Sequence, residues 1–241
     1  MQTILYQEYT YKRIRDAYPA FGNMGRGPNK LFGALPSLES IRLMGAGRGN
    51  GFSIIPDLKR YAIVSIWQKP EAARDFLLTH PALQAYRNGA SSMLAVVMHP
   101  LKAHGFWDGK QPFKVEAEAA DGRPIAVITR ATIKWHKLHE FWWNVPAVSR
   151  FMASQGDALH RVGIGEYPLF MQATFSIWPH LQSLQKASYA AGAHAAIVKK
   201  TRERGWYAEE LFARFQVAEI YAHGSRYAHL SALARSADSP N

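Results

Sequence analysis

Apolar and polar positions alternate in some stretches of this chain and recur at helical spacing in others, and the second half is the easier to read. Residues 124–133 are β-rich through Ile125, Val127, Ile128, Thr129, Thr132 and Ile133, which predicts a strand. Leu138, Phe141, Val145, Val148 and Met152 then follow near-helical spacing, which predicts a helix with Pro146 as a kink or restart. Gly156, Gly163 and Gly165 punctuate the return to a strand over 169–178. A second helical region, over about 181–204 and interrupted near Gly192, stops at Gly205, and 211–221 closes as a strand. Strand, helix, strand, strand, helix, strand is the order of a ferredoxin-like split βαβ unit.

The first half repeats this order. Met44-Gly45-Ala46-Gly47 leads to Tyr61-Ala62-Ile63-Val64-Ser65-Ile66-Trp67, as Val162-Gly163-Ile164-Gly165 leads to Met171-Gln172-Ala173-Thr174-Phe175-Ser176-Ile177-Trp178. Each copy continues into a polar turn, a helical stretch and a histidine, His80 in the first and His194 in the second. The expectation is an α+β chain of two ferredoxin-like repeats, 1–106 and 124–222, that pair sheet against sheet. A linker rich in Gly, Asp, Lys and Pro falls at 107–123, and a tail at 223–241.

Strand alternation puts Met171, Ala173, Phe175 and Ile177 on one face, expected against the helices. Phe170, Gln172, Thr174, Ser176 and Trp178 take the other, which suits either a solvated face or the lining of a cavity between two sheets. Arg130 shares a face with Ala126, Ile128 and Thr132 and reads either as an edge-strand arginine with its head in water or as a pocket arginine. His194, Ile197, Val198 and Thr201 form one helical stripe, opposite Lys199, Lys200, Arg202 and Glu203. His194 therefore faces inward, as a core residue or as a ligand. His80, just ahead of Pro81, reads as a helix N-terminal residue. His136 and His139 have no acidic neighbour but Glu140, and Gly45, Gly47, Gly49 and Gly51 read as a loop rather than a nucleotide fingerprint.

Composition narrows the chemistry. The chain has 241 residues, 48% hydrophobic and 20% charged, as an ordinary globular protein does. No apolar run reaches the roughly 18 residues a membrane span needs, and residues 1–11 do not resemble a secretory signal, so the cytoplasm is the expected location. The absence of cysteine excludes disulfides, thiolate nucleophiles, iron–sulfur clusters and thiolate-ligated haem. Any metal must then rely on His or carboxylates. The net charge of +11 suits nucleic acid, an anionic membrane surface or an acidic cofactor. The longest basic runs noted are the pairs Lys12-Arg13 and Lys199-Lys200, which points away from nucleic acid.

Several of these segments together resemble the spheroidene monooxygenase family of acyclic carotenoid ketolases. They are Thr129-Arg130-Ala131-Thr132-Ile133, Phe141-Trp142 with Val145-Pro146, Gly163-Ile164-Gly165-Glu166, the run Gln172 to Trp178, and Gly205-Trp206-Tyr207-Ala208-Glu209-Glu210-Leu211-Phe212-Ala213-Arg214-Phe215. The resemblance covers about 44–217, supported by Gly51-Phe52-Ser53 and Pro56-Asp57; the run His104 to Gly109 and the tail from His223 depart from it. It implies a dimeric α+β barrel holding haem b through a helical histidine, which makes His194 the iron ligand beside Val198. It also implies a monooxygenase that uses dioxygen and an electron donor such as ferredoxin on a hydrophobic small molecule. On that reading Arg130, Gln172 and Thr174 are the polar catalytic candidates, with Ser176 weaker. Phe170, Trp178 and Phe215 supply apolar walls, and Arg214 or Lys199 pairs with the propionates. Trp206, Glu209 and Glu210 are given no catalytic role. Two other readings stay open, a haem lyase of the aldoxime-dehydratase kind and a non-catalytic haem- or ligand-binding barrel. Peripheral membrane contact and a homo-oligomer are both compatible with the sequence.

Overall fold

Alternating strands need two different environments, and in the computed structural model of the chain both are provided by one closed barrel. The structure describes residues 1–49, 53–145, 157–189 and 204–234. The strands are β1 (Thr3–Tyr11), β2 (Leu38–Gly47), β3 (Pro56–Trp67), β4 (Ala90–Gly105), β5 (Ile125–Ile133), β6 (His160–Tyr167), β7 (Met171–Trp178) and β8 (Tyr207–His223). They close in the order β1-β3-β2-β6-β7-β5-β8-β4, each pairing antiparallel. Each half has its fourth strand beside its first, then its third, then its second. A long β4–β8 ladder from Met93 to Gly105 joins the halves on one side, and a short β2–β6 contact at Gly45–Gly165 and Ala46–Ile164 joins them on the other.

Every strand turns an apolar face into the barrel. Ile4, Tyr6, Met44, Val64, Val96, Ile128, Val162, Ala173, Phe175, Ile177 and Phe215 belong to one buried cluster, with Tyr6 stacked on Phe175 at 3.7 Å between ring centroids. Fully burying a large apolar side chain contributes roughly 1.5–3 kcal/mol, so the more apolar face of each strand goes where burial is complete. For β7 this overturns the expectation that Ala173, Phe175 and Ile177 lie against the helices. Ala173, Phe175 and Ile177 fill the barrel, while Gln172, Thr174, Ser176 and Trp178 lie on the outer surface that the helices only partly cover.

The outer surface of the first half packs against the helices Tyr18–Arg26 and Pro70–Thr79 through Leu5, Tyr9, Ile63, Trp67, Phe76 and Val97. That of the second half carries two smaller clusters. Ile125, Val127 and Trp178 meet Leu184 of the helix Leu181–Tyr189, and Ile133 and Trp206 meet Phe141 and Val145 of the helical residues 138–145.

Each end of the barrel is closed by charges. At one end Glu8, fully buried, accepts hydrogen bonds from Tyr6 (2.7 Å) and Tyr227 (2.8 Å), lies 2.8 Å from His160 Nε2, and faces Arg60 Nη1 at 3.8 Å. Tyr227 comes from the 3-10 segment Ser225–Leu230. At the other end Arg130 pairs with Glu209, Asp108 and Glu166, and Arg42 pairs with Asp108 and Glu166. The Trp107 indole donates to Glu166 at 3.1 Å. Trp107 and Phe113 both belong to the barrel core, so the stretch expected as a linker also caps an end.

Four local expectations change. Gly163 and Gly165 sit inside β6 rather than before it. A Cβ on Gly165 would stand 2.6 Å from the Met171 carbonyl oxygen, so glycine is what lets β6 approach β7. Gly45 and Gly47 likewise end β2 instead of shaping a loop. Phe170 precedes β7 in an exposed turn, and β8 runs from Tyr207 rather than from Leu211. His80 is an N-cap as expected, its Nδ1 accepting from the Ala82 amide.

Candidate active site

Register fixes which side chains share the outer face of the second half. Across β8, β5, β7 and β6, directly paired residues form rows: Arg214, Val127, Ser176 and Arg161; then Phe212, Thr129, Thr174 and Gly163; then Glu210, Ala131, Gln172 and Gly165. The first row is flanked by the cluster around Trp178 and Leu184, and beyond the third comes the cluster around Ile133 and Phe141. Apart from Phe212, which packs on the Trp178 cluster, the sheet between the two clusters presents small or polar groups, with Gly163 and Gly165 carrying no side chain. The result is a low floor with apolar walls at both ends.

The polar groups on this floor are partly engaged. Thr129 and Thr174 share a hydroxyl–hydroxyl hydrogen bond of 2.6 Å. Ser176 accepts from the Trp178 indole at 3.0 Å, and the Arg161 guanidinium lies 4.8 Å from the Trp178 ring centroid. Gln172 is buried with its amide toward Gly165. Arg214 is half-buried, and its Nε is enclosed with no hydrogen-bond partner among the described residues. A buried guanidinium N–H left without an acceptor typically costs about 1–3 kcal/mol.

The residues predicted from sequence do not all meet. Gln172, Thr174, Trp178 and Arg214 share the outer face. Arg130 and Phe215 are on the inner one, because Arg130 pairs with Ala173 across the ladder and Phe215 packs edge-on against Phe113. Arg130 therefore stands neither in water at a sheet edge nor beside Gln172. It is almost fully buried, 5.4 Å from the Trp107 ring centroid and ringed by carboxylates. Burial pushes the Glu166 carboxyl up despite Arg42 and Arg130. Burial also acts on Glu209, but the amides of Gly109 and Asp108 and the Arg130 guanidinium hold it below the usual carboxylate range. Glu209 is thus a fixed ion-pair partner rather than a solvated acid. Phe170 is exposed in the turn before β7, at the edge of the floor. His194, Val198 and Lys199 lie outside the described residues.

Sequence reading passed over Thr129, Gly163, Gly165 and Phe212 as floor residues. The two glycines at strand spacing were the available signal. It also passed over Glu8, Arg60 and His160, although a carboxylate at an inward position of an alternating strand is a signal of the same kind. Among the described residues no group of three or more His, Asp or Glu side chains is placed to hold a metal ion.

No family model matches the chain. It is 36% identical over 219 residues to spheroidene monooxygenase of Cereibacter sphaeroides, covering 90% of this chain and 67% of that protein. It is also 36% identical over 184 residues to spheroidene monooxygenase of Rhodobacter capsulatus, covering 76% of each. For the Rubrivivax gelatinosus protein of the same name the figures are 31% over 211 residues, covering 86% and 80%. Among solved structures, an aldoxime dehydratase in complex with butyraldoxime superposes with a TM-score of 0.56 at 9% identity, covering 90% of this chain and 79% of that one. A second aldoxime dehydratase gives 0.54 at 13%, covering 90% and 80%. At such identities the likeness concerns the fold alone.

Proposed function

The chain belongs to the spheroidene monooxygenase family, and on that premise we propose that it is a haem-dependent monooxygenase that oxidises a hydrophobic substrate, a carotenoid or another secondary metabolite. Its co-reactants would be dioxygen and an electron donor such as a ferredoxin. Monooxygenase is the activity named for its relatives. We read the two halves as ferredoxin-like repeats, 1–106 and 124–222 joined by 107–123, because both have the strand order that unit requires. The cytoplasm is the proposed location; among the described residues no helix is long and apolar enough to cross a membrane.

The observation that carries the cofactor assignment is the low floor of Thr129, Ala131, Thr174, Gly163 and Gly165 between two apolar clusters, beside the Arg214 Nε, which has no hydrogen-bond partner among the described residues. A flat, largely apolar group with acidic substituents fits those residues. In this reading His194 would hold the haem iron, Trp178, Val127 and Val198 would supply apolar walls, and Arg214 would pair with a propionate. Haem b, when bound, supplies the redox chemistry by which dioxygen is reduced. The chain's own groups do the rest. The Gln172 amide and the Thr174 hydroxyl offer hydrogen bonds on an otherwise apolar surface, and Thr129 sets the direction of the Thr174 hydroxyl. Trp178 and the flanking clusters exclude water. Arg130, on the other face, keeps the barrel end closed.

An absorption spectrum of the full chain supplied with haem tests this. A Soret band with a histidine-ligated signature is expected, lost in His194→Ala and kept in His80→Ala. Retention in His194→Ala would overturn the ligand assignment. Reductant-dependent oxygen consumption with a lipid-soluble substrate supports the oxygenase. Turnover of an aldoxime without reductant would replace it with a lyase, and no haem uptake at all would leave a ligand-binding barrel.

A further inference from the structure

One corner of the second half carries its large rings outward. Trp135 is 78% and Trp143 88% exposed, and Tyr167, Leu169 and Phe170 of the β6–β7 turn are 63%, 37% and 42% exposed. The segments that carry them are joined by two hydrogen bonds. The Trp142 indole donates to the Leu169 carbonyl at 3.2 Å, and the Ile133 amide donates to the Phe170 carbonyl at 2.8 Å, two residues before Trp135. Leaving two tryptophans almost bare forgoes much of the burial that a folded chain could gain from them, so the exposure calls for an occupant outside the monomer fold.

The chemistry of the surroundings selects that occupant. Lys134 and Lys137 flank Trp135 and His136 in sequence, and Glu140 faces Lys137 and Arg204 at 3.2 Å each. His136 stands edge-on to Trp135 at 5.6 Å, and the chain as a whole carries +11. The exposed rings lie on the β6–β7 turn and on residues 135–143, in and just before the helical stretch 138–145. Tryptophan and tyrosine rings beside lysine and arginine are the composition that settles at the headgroup level of a bilayer, where the ring is half solvated by hydrocarbon and the cation meets phosphate.

We infer that this corner, centred on Trp135 and Trp143 with the Tyr167–Phe170 turn, docks the protein on an anionic lipid bilayer. Gln172, on the floor described above, is two residues from Phe170, so the docked face borders the proposed active site. Delivery of a hydrophobic substrate from the membrane rests on the functional reading given above; the docking itself does not.

Co-sedimentation of the full chain with phosphatidylcholine vesicles and with mixed phosphatidylcholine–phosphatidylglycerol vesicles tests the inference without any activity measurement. Binding to the mixed vesicles is expected, weakened by salt, with tryptophan emission quenched by brominated lipid. The double variant Trp135→Ala/Trp143→Ala should lose about tenfold or more in affinity while keeping its far-UV spectrum and melting temperature. Should that variant melt early, Trp143→Ser alone serves. Tyr18→Ser and Phe21→Ser, exposed on a first-half helix, should leave binding unchanged. No association with either vesicle, or association undiminished in the tryptophan variants, overturns the proposal. So does conversion of a dimer to a monomer by those variants, which would assign the face to a second copy. Loss of vesicle binding together with full turnover of detergent-dispersed substrate would uphold both readings, and absence of haem would sink the oxygenase alone.

Discussion

His160 Nε2 lies 2.8 Å from Glu8 Oε2 inside the barrel, a contact between the third-last strand of the chain and its first. Tyr227 donates to the other oxygen of the same carboxylate, so one buried anion ties together both halves and the C-terminal 3-10 segment. Burial alone would raise the Glu8 pKa, but His160, Arg60 and the Tyr6 hydroxyl hold it down to about 2. Tyr227 is pushed well up by burial and by Glu8.

Because the Glu8 carboxyl titrates lower folded than unfolded, the stability it contributes is complete above its ordinary pKa of 4.5 and fades as pH falls from there toward 2. Glu8→Gln leaves the buried Arg60 facing Asp57 alone among the described carboxylates and should destabilise the fold by on the order of 3 kcal/mol at neutral pH. The wild type should lose stability steeply between those two pH values, and the variant should show a shallower slope there. Urea midpoints across that range measure both; equal slopes would refute the role given to Glu8.

Gln172→Leu and Arg130→Met separate the two faces of β5 and β7. Gln172 lies on the outer floor, so its replacement should change stability by no more than about 1 kcal/mol while altering the bound-cofactor spectrum and lowering turnover about tenfold or more. Arg130 neutralises Glu166 and Glu209 at the barrel end. Its replacement should cost about 3 kcal/mol and leave the spectrum of the surviving folded protein unchanged. The opposite pattern would return Arg130 to the active site.

Arg214→Leu removes the guanidinium whose Nε has no partner among the described residues. Apo stability should hold or rise slightly, since an unpaired buried donor disappears, while haem affinity should fall about tenfold. Titration of the apo protein with haem, followed at the Soret maximum, reads the change; unaltered affinity would mean the propionates are bound elsewhere.

Gly165→Ala places a methyl group 2.6 Å from the Met171 carbonyl oxygen in the adjacent strand. The β6–β7 ladder must shift, at a cost of about 1–3 kcal/mol and roughly 2–4 °C in melting temperature for each kcal/mol. The same shift raises the floor, so haem uptake should weaken as well. A variant as stable as the wild type would mean that the ladder absorbs the methyl group without strain.

Local patterns determined much of this protein. Alternation and the place of Pro81 were enough to give β5, β7 and the N-cap at His80, because each depends on neighbours within a few residues. The resemblance to the spheroidene monooxygenases was likewise legible from short runs such as that from Gln172 to Trp178. Only the closed barrel decided which face of a strand is inside, since alternation defines two faces without ranking them against a surface that distant strands create. That is why Phe175 points into the barrel rather than, as the sequence led one to expect, against the helices, and why Gln172 takes the outer face. Closure also decided the partners of the buried charges. Glu8 and His160 are separated by most of the chain, as are Arg42 and Glu166, and no local rule pairs residues whose proximity arises when β2 meets β6 and the ring is complete.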